Sequence, residues 1–169
     1  MIALTRSLRT PLLFAALAAP LAWAAPSPQA YVDATLASSR AQVAAAQLAL
    51  KKGQRPALKT FAQMIVDEHA ALDKEVQALA QKQKLQVSDS ATLSRMAQAQ
   101  QKRLERSEQF DTDYAQAQAV ATKSLAASVQ DFANDSLAEP GLKELSQSWA
   151  PRLLHQQEAA QQLLDSKAQ

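Results

Sequence analysis

Residues 56–83, PALKTFAQMIVDEHAALDKEVQALAQKQ, carry the pattern on which the fold rests. Leu58, Phe61/Ala62, Ile65, His69, Leu72, Val76 and Leu79 recur at steps of three and four, the period of a helix with one buried face. Pro56 suits a first helical turn, where its missing N–H costs nothing. Upstream, Gly53-Gln54-Arg55 reads as a C′ glycine followed by a short turn. The preceding segment, 28–52, must then fold back antiparallel on 56–83. Its expected stripe is Val32, Leu36, Ser39, Val43, Ala46 and Leu50, and Pro28 opens it as Pro56 opens its neighbour.

The same reading extends outward. A helix over 108–137 carries Phe110, Tyr114, Ala117, Ala121, Leu125, Ser128 and Phe132. Another over 141–166 carries Leu142, Leu145, Trp149, Leu153, Ala160 and Leu163/Leu164. The junction Glu139-Pro140-Gly141 is tight enough to make these two a second hairpin. Pro140-Gly141-Leu142-Lys143 with Gln147 echoes Pro56-Ala57-Leu58-Lys59 with Gln63. Between the hairpins lies a shorter, polar helix over 89–105, with Ser88-Asp89-Ser90 as its N-cap. The expected fold is all-α: a ferritin-like four-helix bundle of two antiparallel hairpins with a short crossover helix.

Composition agrees. From Ala25 onward there are 30 alanines against 13 valines, isoleucines and threonines combined, and alanine favours helix where β-branched residues favour strands. There is no cysteine, which excludes disulfides, thiolate metal sites and thiol nucleophiles. The two glycines, Gly53 and Gly141, are too few and too far apart for a phosphate loop or a dinucleotide fingerprint.

The first 24 residues read as a cleavable secretory signal. Arg6 and Arg9 precede an apolar run, Pro11 to Leu21, and Ala22-Trp23-Ala24 supplies small residues at −3 and −1. Cleavage is expected after Ala24, leaving a 25–169 helical domain in the periplasm with no further membrane-spanning segment. Without Arg6 and Arg9 the cations and acids balance at 16 each. The basic pI of about 9.0 therefore belongs to the leader and leaves no footprint for nucleic acid.

The candidate chemistry is sparse. His69 sits in the apolar stripe, with Asp73 one turn on. His155 is followed by Glu158 one turn on, and wheel counting places His155 about 140° from the centre of its stripe. These four, His69, Asp73, His155 and Glu158, are the candidate metal ligands, for iron, zinc or manganese. The two histidines each lie in the second helix of a hairpin, a placement from which they could meet in the interior. A di-iron bundle uses Glu-x-x-His pairs, whereas Val66 and Arg152 stand three residues before these histidines. The competing reading of His69 is a neutral core histidine bonded to Asp73 or to a facing helix. No nucleophile has a base at a telling spacing and serine hydrolase motifs are missing, so the sequence argues against an enzyme.

The stretch Ala57-Leu58-Lys59-Thr60-Phe61-Ala62-Gln63-Met64-Ile65-Val66-Asp67-Glu68-His69 resembles the signature helix of a bacterial exported family, domain of unknown function 4142. Phe110-Asp111-Thr112-Asp113-Tyr114 is similar to that family's F-D-x-x-Y, and Pro151-Arg152-Leu153-Leu154-His155 to its late L-P-x-L-x-x-H. The resemblance implies an exported, ferritin-like helical bundle with no established activity, often labelled an outer-membrane protein. Two departures fall where the family carries polar ligating groups. Thr122 stands where its members usually have a histidine, and Ala41-Gln42-Val43-Ala44-Ala45 lacks the usual glutamates.

Two functional classes follow. One is a non-enzymatic binding or envelope-associated protein whose partner is an envelope protein or a small ligand. The other is a metal-binding or redox protein on a ferritin-like scaffold, centred on His69 and His155.

Overall fold

The computed structural model describes residues 26–89, 95, 98 and 101–166. The expected leader, with its cut after Ala24, lies outside the described residues, as does most of 90–100 within the expected helix 89–105. Among the described residues all regular structure is helical and there is no strand. The four long helices are α1 (Pro28–Lys52), α2 (Pro56–Lys82), α3 (Phe110–Asn134) and α4 (Pro140–Asp165).

The helix ends show why these segments begin and stop where they do. Pro28, Pro56 and Pro140 each occupy the first turn of their helix. Ser27 caps α1 by accepting from the Ala30 N–H at 3.2 Å, and the Glu139 carboxylate caps α4 by accepting from Leu142 at 2.7 Å. The α1 terminus corrects the sequence reading. Gly53 is extended (φ −60°, ψ 142°) rather than left-handed. It is required for space, since a Cβ there would lie 2.6 Å from the Ala49 carbonyl oxygen and 2.7 Å from Leu58. The left-handed C′ residue is instead Lys84, at φ 58°. Its N–H bonds to Gln81 and the N–H of Leu85 to Ala80, at 3.1 and 2.9 Å, closing a Schellman motif after α2.

Most of α1 packs on α2, and most of α3 on α4, with α2 also against α4 and α1 against α3. Named contacts fix the directions. Arg40 meets Asp73, and Asp33 near the start of α1 receives the Ser88 N–H and hydroxyl at 2.9 and 2.8 Å, so α1 and α2 are antiparallel. Tyr31 stacks on Phe132 at 3.8 Å, while Lys52 lies over Phe110 at 5.4 Å, so α1 and α3 are antiparallel too. Ser88 of the expected N-cap stretch Ser88-Asp89-Ser90 docks on Asp33, and the first turn that stretch would cap lies outside the described residues.

The core divides into two apolar clusters. One gathers Tyr31, Val32, Leu36, Leu72, Val76, Phe132, Leu142 and Trp149, and the other Ala46, Leu58, Phe61, Ile65, Leu104, Phe110, Tyr114 and Leu163. Leu85 and Val87, just after α2, pack on the first, and Leu104 is buried in the second. The described residues on either side of 90–100, Leu85 and Val87 before it and Leu104 after it, thus pack on different clusters.

Between the clusters lies a buried polar layer: Ser39 and Gln42 from α1, His69 from α2, Gln118 and Thr122 from α3, and Gln156 from α4. The expected stripes shift in places: Leu79 on α2 and Leu145 on α4 are only partly covered beside the buried Ala80 and Ser146, and α1 and α3 depart further. On α1 the buried face after Ser39 runs through Gln42, Ala45, Ala46 and Ala49, leaving Val43 and Leu50 only partly covered. On α3, Thr122 and Val129 are buried in place of Ala121 and the exposed Ser128. On α1 the inward line is carried by small alanines, whereas on α3 it passes to the larger residue of each pair, Thr122 over Ala121 and Val129 over Ser128.

Candidate functional site

His69 is fully buried, and both of its ring nitrogens have partners. Nδ1 lies 3.2 Å from the Ser39 hydroxyl and Nε2 lies 2.9 Å from Oε1 of Gln156. The Gln156 amide nitrogen donates to the Glu68 carboxylate at 2.6 Å. A carboxylate only accepts, so Glu68 sets the orientation of the Gln156 amide and turns its oxygen toward the imidazole. Nε2 must then donate, and in a neutral ring Nδ1 accepts from Ser39. The Ser39 hydroxyl has a second acceptor in reach, the His69 backbone carbonyl at 3.2 Å. Burial drives the His69 pKa below its ordinary value, against the opposing pull of the Gln156 bond and the charges of Glu68 and Asp73. The ring is thus held neutral with its proton on Nε2.

The remaining candidates lie elsewhere. The Asp73 carboxylate is taken by Arg40, with Nε 3.2 and 3.3 Å and Nη2 3.2 Å from its oxygens, and by the Gln77 amide at 2.9 Å. His155 and Glu158 are exposed. The two histidines therefore do not meet in the interior: it is Gln156, the next residue along, whose side chain reaches His69. Wheel counting had already turned His155 away from its stripe, and α4 continues as a helix through Pro151, so the proline does not bring His155 back. Among the described residues no three histidine, aspartate or glutamate side chains come together as a metal-holding group.

Sequence reasoning singled out His69 and Ser39 as stripe positions but passed over Gln156 and Glu68. A signal for Gln156 was present. It lies midway between Leu153 and Ala160, on the inward line of α4, where a glutamine among apolar neighbours needs a buried partner.

Tyr114, a possible partner for a histidine by its type, has none: its hydroxyl is buried without a hydrogen bond. Burial pushes its pKa far above the ordinary phenol value. Thr122 also stays away from His69 chemistry, since its hydroxyl donates to the Gln118 carbonyl at 2.8 Å.

A second polar cluster closes the end of the helices at the α1–α2 turn. The Asp111 carboxylate accepts from the backbone N–H groups of Gln54 and Arg55, at 3.1 and 2.9 Å. It supplies from another helix the cap that α2 lacks in its own N-cap side chain. The Arg55 guanidinium donates to the Leu163 carbonyl at 3.1 and 3.0 Å and to the Ser166 hydroxyl at 2.5 Å. It satisfies the Leu163 carbonyl at the end of α4.

With this geometry in place, comparison with known families gives one result. The family model described as a domain of unknown function, DUF4142, matches residues 14–163. The chain belongs to the DUF4142 family. No curated protein and no solved structure matches it. Within this DUF4142 chain the 57–69 stretch supplies Phe61, Ala62 and Ile65 to the core and His69 to the polar layer. In Phe110–Tyr114, the two aromatic rings are core and Asp111 is the cap for α2. In Pro151–His155 only Leu153 is buried. No helix among the described residues is long and apolar enough to cross a membrane.

Proposed function

We propose that this DUF4142 protein is an exported, periplasmic, non-enzymatic binding protein built on a ferritin-like four-helix bundle. The observation that carries the non-enzymatic reading is the saturation of His69: Ser39 and Gln156 occupy both ring nitrogens, and Glu68 locks the Gln156 amide. A general base or ligand needs a free lone pair directed at its target, and here Nδ1 faces the Ser39 hydroxyl at 3.2 Å, whose single proton it shares with the His69 carbonyl.

The ferritin-like reading is supported by chain direction. With α1 antiparallel to both α2 and α3, helices α2 and α3 run parallel, and a connection spanning the length of the assembly joins them. Export is supported by the arginines, apolar run and Ala22-Trp23-Ala24 of the leader. The binding partner belongs to the envelope, as an envelope protein or a small ligand.

The test has two arms. N-terminal sequencing of protein from the periplasmic fraction is expected to begin at Ala25, and intact Met1 in the cytoplasm overturns export. Titration of purified mature protein with iron, zinc and manganese is expected to give no stoichiometric binding. Metal that survives dialysis in the parent protein and is lost in His69→Leu overturns the non-enzymatic reading in favour of the metal scaffold.

A further inference from the structure

We propose that Gln42 and Gln118 hold a buried water molecule between α1 and α3, a hydrogen-bonding site that pins the first hairpin to the second. The two side chains are almost wholly buried, at 2% and 0% exposure. Three of their four amide atoms, Gln42 Oε1 and both Nε2 and Oε1 of Gln118, have no hydrogen-bond partner within the protein. The fourth, Gln42 Nε2, makes only a long 3.4 Å bond to Ser38 within its own helix.

The helix register brings the two together. Tyr31 stacks on Phe132 at one end of the α1–α3 seam and Lys52 lies over Phe110 at the other. Gln42 is midway along α1 between these contacts. The matching level on α3 falls between Gln118 and Thr122. At about 100° per residue, Gln42 lies about 20° from the direction of Tyr31 and Gln118 about 40° from that of Phe132. Since Tyr31 and Phe132 face each other, the two glutamines face each other as well.

Their chemistry is complementary through an intermediary. A water between them accepts from the Gln118 amide N–H and donates to the Gln42 amide oxygen. Its second hydrogen is left for Gln118 Oε1 or for a further water. Buried waters make two to four such bonds to otherwise unpaired groups, and neutral amides alone ask for a neutral ligand. Another orphaned group, the Tyr114 hydroxyl, belongs to a residue of the apolar cluster with Phe61 and Phe110. The two glutamines share the polar layer with His69 but not its bonds to Ser39 and Gln156, and the proposal stands whether or not the protein binds an envelope partner.

Thermal melts of Gln42→Met, Gln118→Met and the double variant test the site, together with a high-resolution crystal structure of the unaltered protein. If a shared water is present, each single variant lowers the melting midpoint by about 3–6 °C. The double variant then lowers it by no more than either single change, because the partners are removed together. Single variants that leave the midpoint unchanged or raise it overturn the proposal, as do additive losses. In the crystal structure, a water within hydrogen-bonding distance of both amides supports it. A dry contact, or a direct bond between the two amides, overturns it even if the variants fail to fold.

Discussion

His69 Nε2 and Gln156 Oε1 lie 2.9 Å apart although 87 residues separate them in the chain. The bond joins the second helix of one hairpin to the second helix of the other. With Ser39 on the opposite side of the ring, it ties three helices through one side chain. Removing the imidazole leaves the Gln156 oxygen without its donor, whereas Ser39 can still donate to the His69 backbone carbonyl. His69→Leu is therefore expected to cost about 1–3 kcal/mol, read by chemical denaturation. His69→Asp is expected to be worse, because it buries a negative charge beside the Glu68 carboxylate and the Gln156 amide oxygen. Gln156→Leu should resemble His69→Leu, and the double variant should be less damaged than the sum.

Acid should weaken the protein in two separate steps. The His69 pKa is lowered on folding from 6.5, so the unfolded chain binds that proton first. Its stabilising contribution is complete above about 6.5 and declines as pH falls from there through the lower folded value. Glu68 and Asp73 lie near the ring, and Arg40 holds Asp73. The Asp33 carboxyl feels burial first, but bonds from the Ser88 backbone and hydroxyl and from Gln29 outweigh it and lower its pKa from 3.8. Glu139 behaves alike, lowered from 4.5 because bonds from Leu142, Gly141 and Gln83 and the charge of Lys82 outweigh burial. These carboxylates stabilise above their unfolded values and lose that contribution as pH falls through the folded ones. Melts across pH should show the upper step vanish in His69→Leu while the lower step remains.

Tyr114→Phe should leave stability unchanged or raise it by about 1 kcal/mol. The phenol oxygen is buried without a partner, and deleting an unsatisfied group removes its desolvation cost while the ring keeps its packing on Phe110 and Phe61. A loss above about 1 kcal/mol in a urea titration would show that the hydroxyl has a partner.

Asp111→Ala should destabilise by about 1 kcal/mol, the usual worth of a helix cap, because Gln54 and Arg55 lose their acceptor. Arg55→Ala should act at another place, loosening the end of α4 where Leu163 and Ser166 are held. Hydrogen exchange resolves the two: faster exchange at 54–58 in the first variant, and over 163–166 in the second.

Lys84→Gly should stabilise by about 1 kcal/mol. Lys84 holds a left-handed conformation (φ 58°) that disfavours every residue with a Cβ and suits glycine. The Schellman bonds of Lys84 and Leu85 are backbone bonds and survive the change. A lower melting midpoint would mean that the lysine side chain contributes more than its backbone strain removes.

What the sequence by itself determined is the set of elements. The three-and-four spacing from Leu58 to Val76, the prolines at 28, 56 and 140, and the scarcity of β-branched residues are local facts, and helix formation is a local event. They suffice for four long helices with ends within a few residues of those observed. They also suffice for two hairpins, because short connections leave no other way to bury the stripes. Position His69 on the inward face was equally legible, since a single side chain's direction follows from its helical phase.

Only the tertiary structure decided which polar groups meet. Gln42 and Gln156 are two among 22 glutamines; helical phase puts Gln156 on the inward line of α4, but nothing local names the partner either one meets. They are buried because facing helices bring alanines, a serine and a histidine to the same level, which depends on the register between helices rather than on the phase within one. The same holds for Asp111, whose role as a cap for α2 joins residues 56 apart. The left-handed residue was misplaced on Gly53 for a related reason. Glycine is the cheapest residue for that conformation, but at the end of α1 it was needed for the close passage of Leu58 and the Ala49 carbonyl. The left-handed turn fell to Lys84, where the chain must leave α2 and carry Leu85 onto the core.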